Sequence, residues 1–148
     1  MFKHILVPTD GSELSLKAAQ LAAEMAATHH ARITAMHVVQ PYEAPLSADV
    51  AFYSAPQTRA EYVKAARTES SRLLAQVEKV AEGGTVACDT LTVEGEQPWQ
   101  AIVEAARSTD CDLIVMGSHG RRGLEGFLLG SETTKVLTHS KTPVLVCR

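Results

Sequence analysis

The sequence predicts an α/β protein in which helices cover both faces of one five-stranded parallel sheet. The first observation is the order of the segments: short apolar runs of β-favouring residues alternate with segments of helical spacing, giving β-α-β-α-β-α-β-α-β. The second is the composition, because 45% apolar and 21% charged residues are typical of a globular protein. We therefore expect one domain over residues 1–148. Right-handed crossovers leave few strand orders, and our hypothesis among them is the order 3-2-1-4-5.

The first half of the chain is predicted to contain two strands and two helices. These elements are a strand at Ile5–Val7, a helix capped by Ser12 and ending near His29-His30, a strand over 32–39, and a helix over 58–82 that Gly83-Gly84 stops. The expected buried members of the second strand are Ile33, Ala35, Val38 and Val39. Segment 41–57 carries three prolines and exceeds the usual loop length, so we expect it to be functional or mobile.

The second half continues the alternation. Its predicted elements are a strand over 86–93, a helix opened by Pro98, a strand over 112–116, a helix over 131–140 and a strand over 143–147. The last strand is continuously apolar although the expected order puts it at a sheet edge. An uncovered apolar edge favours pairing, so we predict a homodimer through Val144–Cys147.

Composition also limits the function. A net charge of −3 gives no basic surface for nucleic acid, and no apolar run has the length of a membrane span. The N-terminus leads into a strand rather than a signal peptide, so we expect a cytoplasmic protein. The three cysteines favour buried thiols over a disulfide framework or structural zinc. Five histidines show no metal-ligand spacing: His4, His29, His30, His37 and His139.

The stretch from Gly117 to Ser131 connects a predicted strand to a predicted helix and is rich in glycine. Glycine lets the backbone approach a ligand closely, and a helix that begins near Gly130-Ser131 directs unpaired N–H groups at a phosphate. In the expected strand order this stretch faces residues 8–12 where the order reverses, which predicts a nucleotide site. The candidate site residues are Pro8, Thr9, Asp10, Val38, Met116, Gly117, Ser118, His119, Gly120, Arg121, Arg122, Gly130, Ser131 and Glu132.

Two common phosphate-binding motifs do not fit this stretch. A Walker A loop needs a lysine before its Ser or Thr, and Gly130-Ser131-Glu132 has none. A dinucleotide fingerprint would follow the first strand, where residues 8–12 contain one glycine. The spacing that is present is Gly-x2-Gly-x9-Gly-Ser, formed by Gly117, Gly120, Gly130 and Ser131. It resembles the ATP-binding branch of the universal stress protein superfamily, and the likeness extends to residues 5–12, 113–120 and 128–146.

The resemblance implies a five-stranded Rossmann-like fold of the adenine nucleotide alpha hydrolase-like type, with the strand order 3-2-1-4-5. It also implies a protein, often dimeric, that binds ATP, with Mg²⁺, without being a fast ATPase. Asp10 would serve the ribose or the metal, and Val38 would border the adenine. The other implied contacts are Gly117 and Gly120 with the ribose and phosphates, and Gly130 and Ser131 with the terminal phosphates. Glu132 departs from the small or apolar residue expected there; its charge suits a helix N-terminus but is expected to weaken or bias phosphate binding.

Several candidate residues also have plainer interpretations. The glycine stretch could be a connector, and Asp10 could be a turn or N-cap aspartate. Arg121 and Arg122 are equally consistent with phosphate contact and with a solvated loop, and His119 is more consistent with a solvent-facing turn residue than with ligand contact.

Three functions remain open at this point. The leading hypothesis is a regulatory or stress-protective ATP-binding module, because no nucleophile with an evident base, paired carboxylates or metal cluster is present in the sequence. The second is a slow ATPase or autophosphorylating enzyme acting at Ser131 or Ser118, although loop hydrogen bonding is the favoured role of both serines. The third is a partner-binding protein without nucleotide, with Phe52 and Tyr53 at its contact surface.

Overall fold

The computed structural model describes residues 1–44, 58–120 and 129–148 of the chain. Five strands form one sheet, and every pair of neighbouring strands is parallel. The strands are β1 (His4–Pro8), β2 (Arg32–Val39), β3 (Cys88–Glu94), β4 (Leu113–Gly117) and β5 (Val144–Cys147). Their order is β3-β2-β1-β4-β5, which confirms the predicted topology.

Helices cover both faces of this sheet. They are α1 (Glu13–His29), α2 (Arg59–Gly83), α3 (Pro98–Ser108) and α4 (Ser131–His139). Because side chains of a strand point alternately to the two faces, Ile5 and Val7 pack against α1 and α2, whereas Leu6 packs with Ile102 and Val136 of α3 and α4. The described part of the chain therefore has two apolar layers, one on each face of the sheet.

Helix starts follow the sequence signals. Ser12 accepts a hydrogen bond from the N–H of Ser15 at 3.2 Å and caps α1. At the start of α2, Thr58 and Glu61 form a capping box in which each side chain accepts from the other residue's N–H, at 3.2 and 3.1 Å. Pro98 begins α3, where its missing N–H is not needed by the helix.

Two details differ from the predictions. Val38 and Val39 are half-buried rather than buried, because β1 ends opposite Met36 and the last residues of β2 have a paired strand on one side only. α2 ends at Gly83, one residue beyond the predicted end, and Gly84 has an ordinary φ of −92°. The left-handed residue that ends the turn is Thr85, with φ of 58°.

The last strand lies at the sheet edge, paired to β4 and half-buried along its whole length. Its edge position was predicted from the strand order. Within the described ranges, none of the helices combines the length and apolarity needed to cross a membrane.

Candidate functional site

Two loops meet where β1 and β4 end, at the side of the sheet formed by the carboxyl ends of the strands (the carboxyl edge). One carries Asp10 and follows β1; the other begins with Gly117 at the end of β4 and continues through Gly120. A Cβ atom at residue 120 would collide with Oδ2 of Asp10, so the carboxylate and the Gly120 backbone are in close contact. The structure thus brings together two residues that are 110 positions apart, at the point where the strand order reverses.

The loop after β1 is held by short local hydrogen bonds. Oδ1 of Asp10 accepts from the N–H of Ser12 at 3.0 Å, so Asp10 closes the turn while Ser12 is the helix cap. The Thr9 N–H donates to the carbonyl of Met36 at 2.8 Å, which ties the loop to β2. The Thr9 hydroxyl is buried, 3.1 Å from Oγ of Ser15. Thr9 therefore shapes the loop from inside, and Asp10 is the carboxylate that faces the second loop.

Gly117 is required by packing inside the protein. A Cβ on this residue would lie 3.1 Å from Cβ and 3.2 Å from the carbonyl carbon of Leu14, in the first turn of α1. Only glycine lets β4 approach α1 so closely without a shift of backbone. Ligand approach, the role implied by the family resemblance, is thus not needed to explain this glycine.

The start of α4 is hydrogen-bonded to the end of β4, and the residue after β4 is hydrogen-bonded to the end of β5. Thr133 Oγ1 donates to the Gly117 carbonyl at 3.0 Å, and Ser118 N–H donates to the Cys147 carbonyl at 2.7 Å. The Gly130 N–H, predicted as a phosphate donor, donates to the Ser118 carbonyl at 2.8 Å. The N–H groups of Ser131 and Glu132, in the first helical turn, have no acceptor inside the helix.

Ser118 and His119 form a pair directly after β4. Oγ of Ser118 is 3.1 Å from Nδ1 of His119, and Ser118 is only 4% exposed. These contacts agree with loop hydrogen bonding as the role of Ser118. His119 is half-buried.

Glu132 lies in the first turn of α4, and its carboxylate is directed to α3. Its Oε2 accepts a hydrogen bond from the backbone N–H of Trp99 in α3 at 2.9 Å, and its Oε1 is 3.2 Å from Nζ of Lys135. The carboxylate of Glu132 is thus hydrogen-bonded to a neighbouring helix. No local sequence pattern indicates Trp99 as a partner of Glu132, whereas the i, i+3 spacing of Glu132 and Lys135 indicates the lysine.

The remaining predicted residues divide into three groups. Pro8 ends β1 and is half-buried. Val38 and Met116 contribute to the apolar layer beneath α3 and α4, with Met116 buried and Val38 half-buried at the carboxyl edge. Arg121 and Arg122 lie outside the described residues, as do Phe52 and Tyr53.

No cluster of three or more His, Cys, Asp or Glu side chains with a metal-binding arrangement occurs among the described residues. The carboxylate of Asp10 at the loop junction suits a divalent cation that is held mainly by phosphate oxygens. It suits a ribose hydroxyl equally well, since a carboxylate accepts hydrogen bonds from hydroxyl groups.

The fold and the two-loop junction define a class: a doubly wound α/β protein whose two loops meet at the topological switch point, where open α/β sheets generally bind ligands. The model of the Universal stress protein family matches residues 1–148, and the chain belongs to this family.

Similar proteins agree with this membership. Universal stress protein MJ0531 of Methanocaldococcus jannaschii is 37% identical over 150 residues, covering 100% of this chain and 83% of that protein. The crystal structure of a universal stress protein family member from Burkholderia pseudomallei is 29% identical, with a TM-score of 0.75 over 98% of this chain and 95% of the other. A universal stress protein solved in complex with cAMP is also 29% identical, with a TM-score of 0.67 and coverage of 98% and 95%.

Proposed function

We propose that this chain binds ATP, with Mg²⁺, where the Asp10 loop meets the loop after β4, and acts as a regulatory or stress-protective module. The observation that carries the proposal is the contact between Asp10 and Gly120 at the switch point of the sheet. The cAMP complex of a similar protein adds support, because cAMP is an adenine nucleotide.

Each part of the nucleotide is assigned to a part of the junction. Asp10 binds a ribose hydroxyl or the Mg²⁺ ion, and Val38 borders the adenine at the end of β2. The first-turn amides of Ser131 and Glu132 bind the terminal phosphates, at the positive end of the α4 dipole. The proposed roles of the other candidates are close backbone approach at Gly117, Ser118, His119 and Gly120, and positive charge from Arg121 and Arg122.

Nucleotide binding is tested by isothermal titration and thermal unfolding with MgATP. At a free concentration of about 100 times Kd, ATP that binds only the folded state stabilises it by about 2.7 kcal/mol. Asp10→Asn keeps the shape and the hydrogen bond from Ser12 but removes the charge that would hold Mg²⁺. We expect this variant to lose most of the Mg²⁺ dependence of ATP binding, whereas Glu24→Gln, an exposed position on α1, changes nothing.

Inorganic triphosphate at matched ionic strength is the specificity control. Equal stabilisation by triphosphate and by MgATP would contradict a nucleotide site and indicate a general anion effect. A wild-type chain whose unfolding does not respond to millimolar MgATP would contradict the proposal outright.

We also propose a two-fold dimer in which β5 pairs with its own copy. All four residues of β5 are half-buried, and β5 lies at the edge of the sheet. Val146→Lys adds a charge to this edge and should give monomers in sedimentation at micromolar concentration. The matched control is Val63→Lys, at a position on α2 that is already 40% exposed. A wild-type monomer at the same concentration would contradict the dimer.

The cytoplasmic location and the lack of nucleic-acid partners stay predictions.

A further inference from the structure

We propose that Glu132 is a positioning residue: its carboxylate fixes the first turn of α4 by binding the backbone of α3 and so holds the phosphate-binding amides in place. This inference rests on the proposed function, since it concerns the same end of α4. The sequence predicts that a carboxylate beside the phosphates weakens or biases binding. The proposed effect of Glu132 on phosphate binding has the opposite sign.

The start of α3 needs an acceptor from outside the helix. Pro98 has no N–H, and the N–H of Gln100 donates to the Gln97 carbonyl at 3.1 Å. Trp99 is in the first turn, so its N–H has no acceptor within α3. Among the described residues, Gln97 makes no side-chain capping bond, because its Oε1 accepts from Nε1 of Trp99 at 2.8 Å. Glu132 supplies the missing acceptor, at 2.9 Å from the Trp99 N.

The carboxylate is therefore placed between two helix N-termini. It is bonded to the first turn of α3, and its own residue is the second of α4. Both helix ends carry partial positive charge, which a carboxylate complements. Lys135 lies 3.2 Å from the second oxygen. The negative charge of Glu132 is thus matched by groups other than a phosphate, while the N–H of the same residue stays in the first turn of α4.

Trp99 also contacts the far end of α4. Its ring lies against the ring of His139, with centroids 4.5 Å apart and planes inclined by 39°. One residue of α3 therefore contacts α4 near its beginning, through Glu132, and at its end, through His139. Because Trp99 is the one tryptophan in the sequence, the fluorescence emission of the protein reports on how α4 packs against α3.

The test compares MgATP with adenosine in Glu132→Ala and Glu132→Gln. Adenosine has no phosphates, so a displaced first turn of α4 should weaken MgATP alone. We expect Glu132→Ala to weaken MgATP binding roughly fivefold to tenfold, the scale of one lost hydrogen bond, and to change adenosine binding less than about twofold. Glu132→Gln should bind MgATP nearly as the wild type does, because its amide oxygen still accepts from the Trp99 N–H.

Glu104→Ala is the matched control. Glu104 pairs with Arg107 at 2.7 Å on the exposed surface of α3, with the same i, i+3 spacing as Glu132 and Lys135. This variant removes one carboxylate and one ion pair without touching the start of either helix. We expect unchanged affinity for both ligands and unchanged Trp99 emission, whereas Glu132→Ala shifts the emission.

Three outcomes would overturn the inference. Tighter MgATP binding by Glu132→Ala would show that the carboxylate only repels phosphate. Equal losses for MgATP and adenosine would indicate a general structural role. If the wild type binds neither ligand, the proposed function fails and the phosphate role of Glu132 fails with it. In that case Trp99 emission and thermal unfolding of the two Glu132 variants still decide whether the tie between α3 and α4 exists.

Discussion

The strands begin at one edge of the sheet, the amino edge, and end at the opposite one, the carboxyl edge. These two edges are built in different ways. At the amino edge, each of the turns that follow α1, α2 and α3 contains one left-handed residue: His30, Thr85 and Asp110, with φ between 53° and 58°. Each turn also has the same backbone hydrogen bond, spanning five residues: Ala31 N–H to Ala26, Val86 N–H to Ala81, and Cys111 N–H to Ala106, at 2.9 to 3.0 Å. This is the 6→1 bond of a Schellman motif, which a helix end forms from its own residues.

At the amino edge, contacts between distant segments join the starts of strands, as where Asp112 accepts from the N–H groups of Lys3 and His4. At the carboxyl edge, such contacts hold the loops themselves. Asp10 meets Gly120, Thr133 donates to the Gly117 carbonyl, and Glu132 accepts from Trp99. None of these contacts is specified by local sequence. The turns after α1, α2 and α3 are closed by hydrogen bonds within each turn. The loops at the carboxyl edge are not needed for this closure, so their residues can serve a ligand.

The largest effect is expected from a methyl group at the carboxyl edge. Gly117→Ala places a Cβ about 3 Å from Leu14, with backbone atoms at 3.2 and 3.3 Å, so α1 or β4 must move. We expect a loss of about 1–3 kcal/mol in the free energy of unfolding, measured by urea denaturation. Gly83→Ala is the control, since a Cβ there meets no atom of the described residues within 4 Å, and the helix should gain about 0.5–1 kcal/mol. Equal effects of the two substitutions would contradict the difference between the edges.

Much of the fold follows from patterns that are local in sequence. Within the described residues, the alternation of strand and helix patterns predicted each of the five strands and four helices, because apolar periodicity reports which face of each element is buried. The burial of Val38 and Val39 was overestimated because their pairing depends on where β1 ends, which the sequence of β2 does not encode.

The site was less predictable than the fold. Asp10 and the loop after β4 could be paired from strand order alone, since that order brings their strands together. The orientation of Glu132 could not, because its acceptor role depends on how α3 and α4 pack and on Pro98 leaving Trp99 as a first-turn donor. Gly130 shows the same limit, because its N–H donates to the carbonyl of Ser118, a residue distant in sequence.

A smaller effect, of opposite sign, is expected at the amino edge. Thr85 is β-branched and has φ of 58°, a conformation that costs a residue with a Cβ roughly 1–2 kcal/mol. Thr85→Gly removes this cost, although glycine loses more entropy on folding, so we expect a net gain of up to about 1 kcal/mol with no change in nucleotide affinity. Destabilisation in urea, or altered MgATP binding, would show that the turn after α2 is not closed by its own residues alone. Gly84→Ala, at φ of −92°, is the matched control in the same turn.

The smallest effect is expected from pH, also at the amino edge. His4 is buried, with Nε2 2.7 Å from Oγ1 of Thr34. Burial, followed by the positive charge of Arg32, lowers the pKa of His4 below its ordinary value of 6.5, although the Thr109 backbone and the carboxylates of Asp112 and Asp89 oppose the shift. The unfolded chain therefore binds a proton at His4 more readily than the folded chain. Stability from this group is complete above pH 6.5 and declines as pH falls from there through the lowered pKa. Urea unfolding between pH 7.5 and 5 should show this decline in the wild type and less of it in His4→Gln. An equal pH dependence in both proteins would show that another group is responsible and that His4 does not couple this edge to pH.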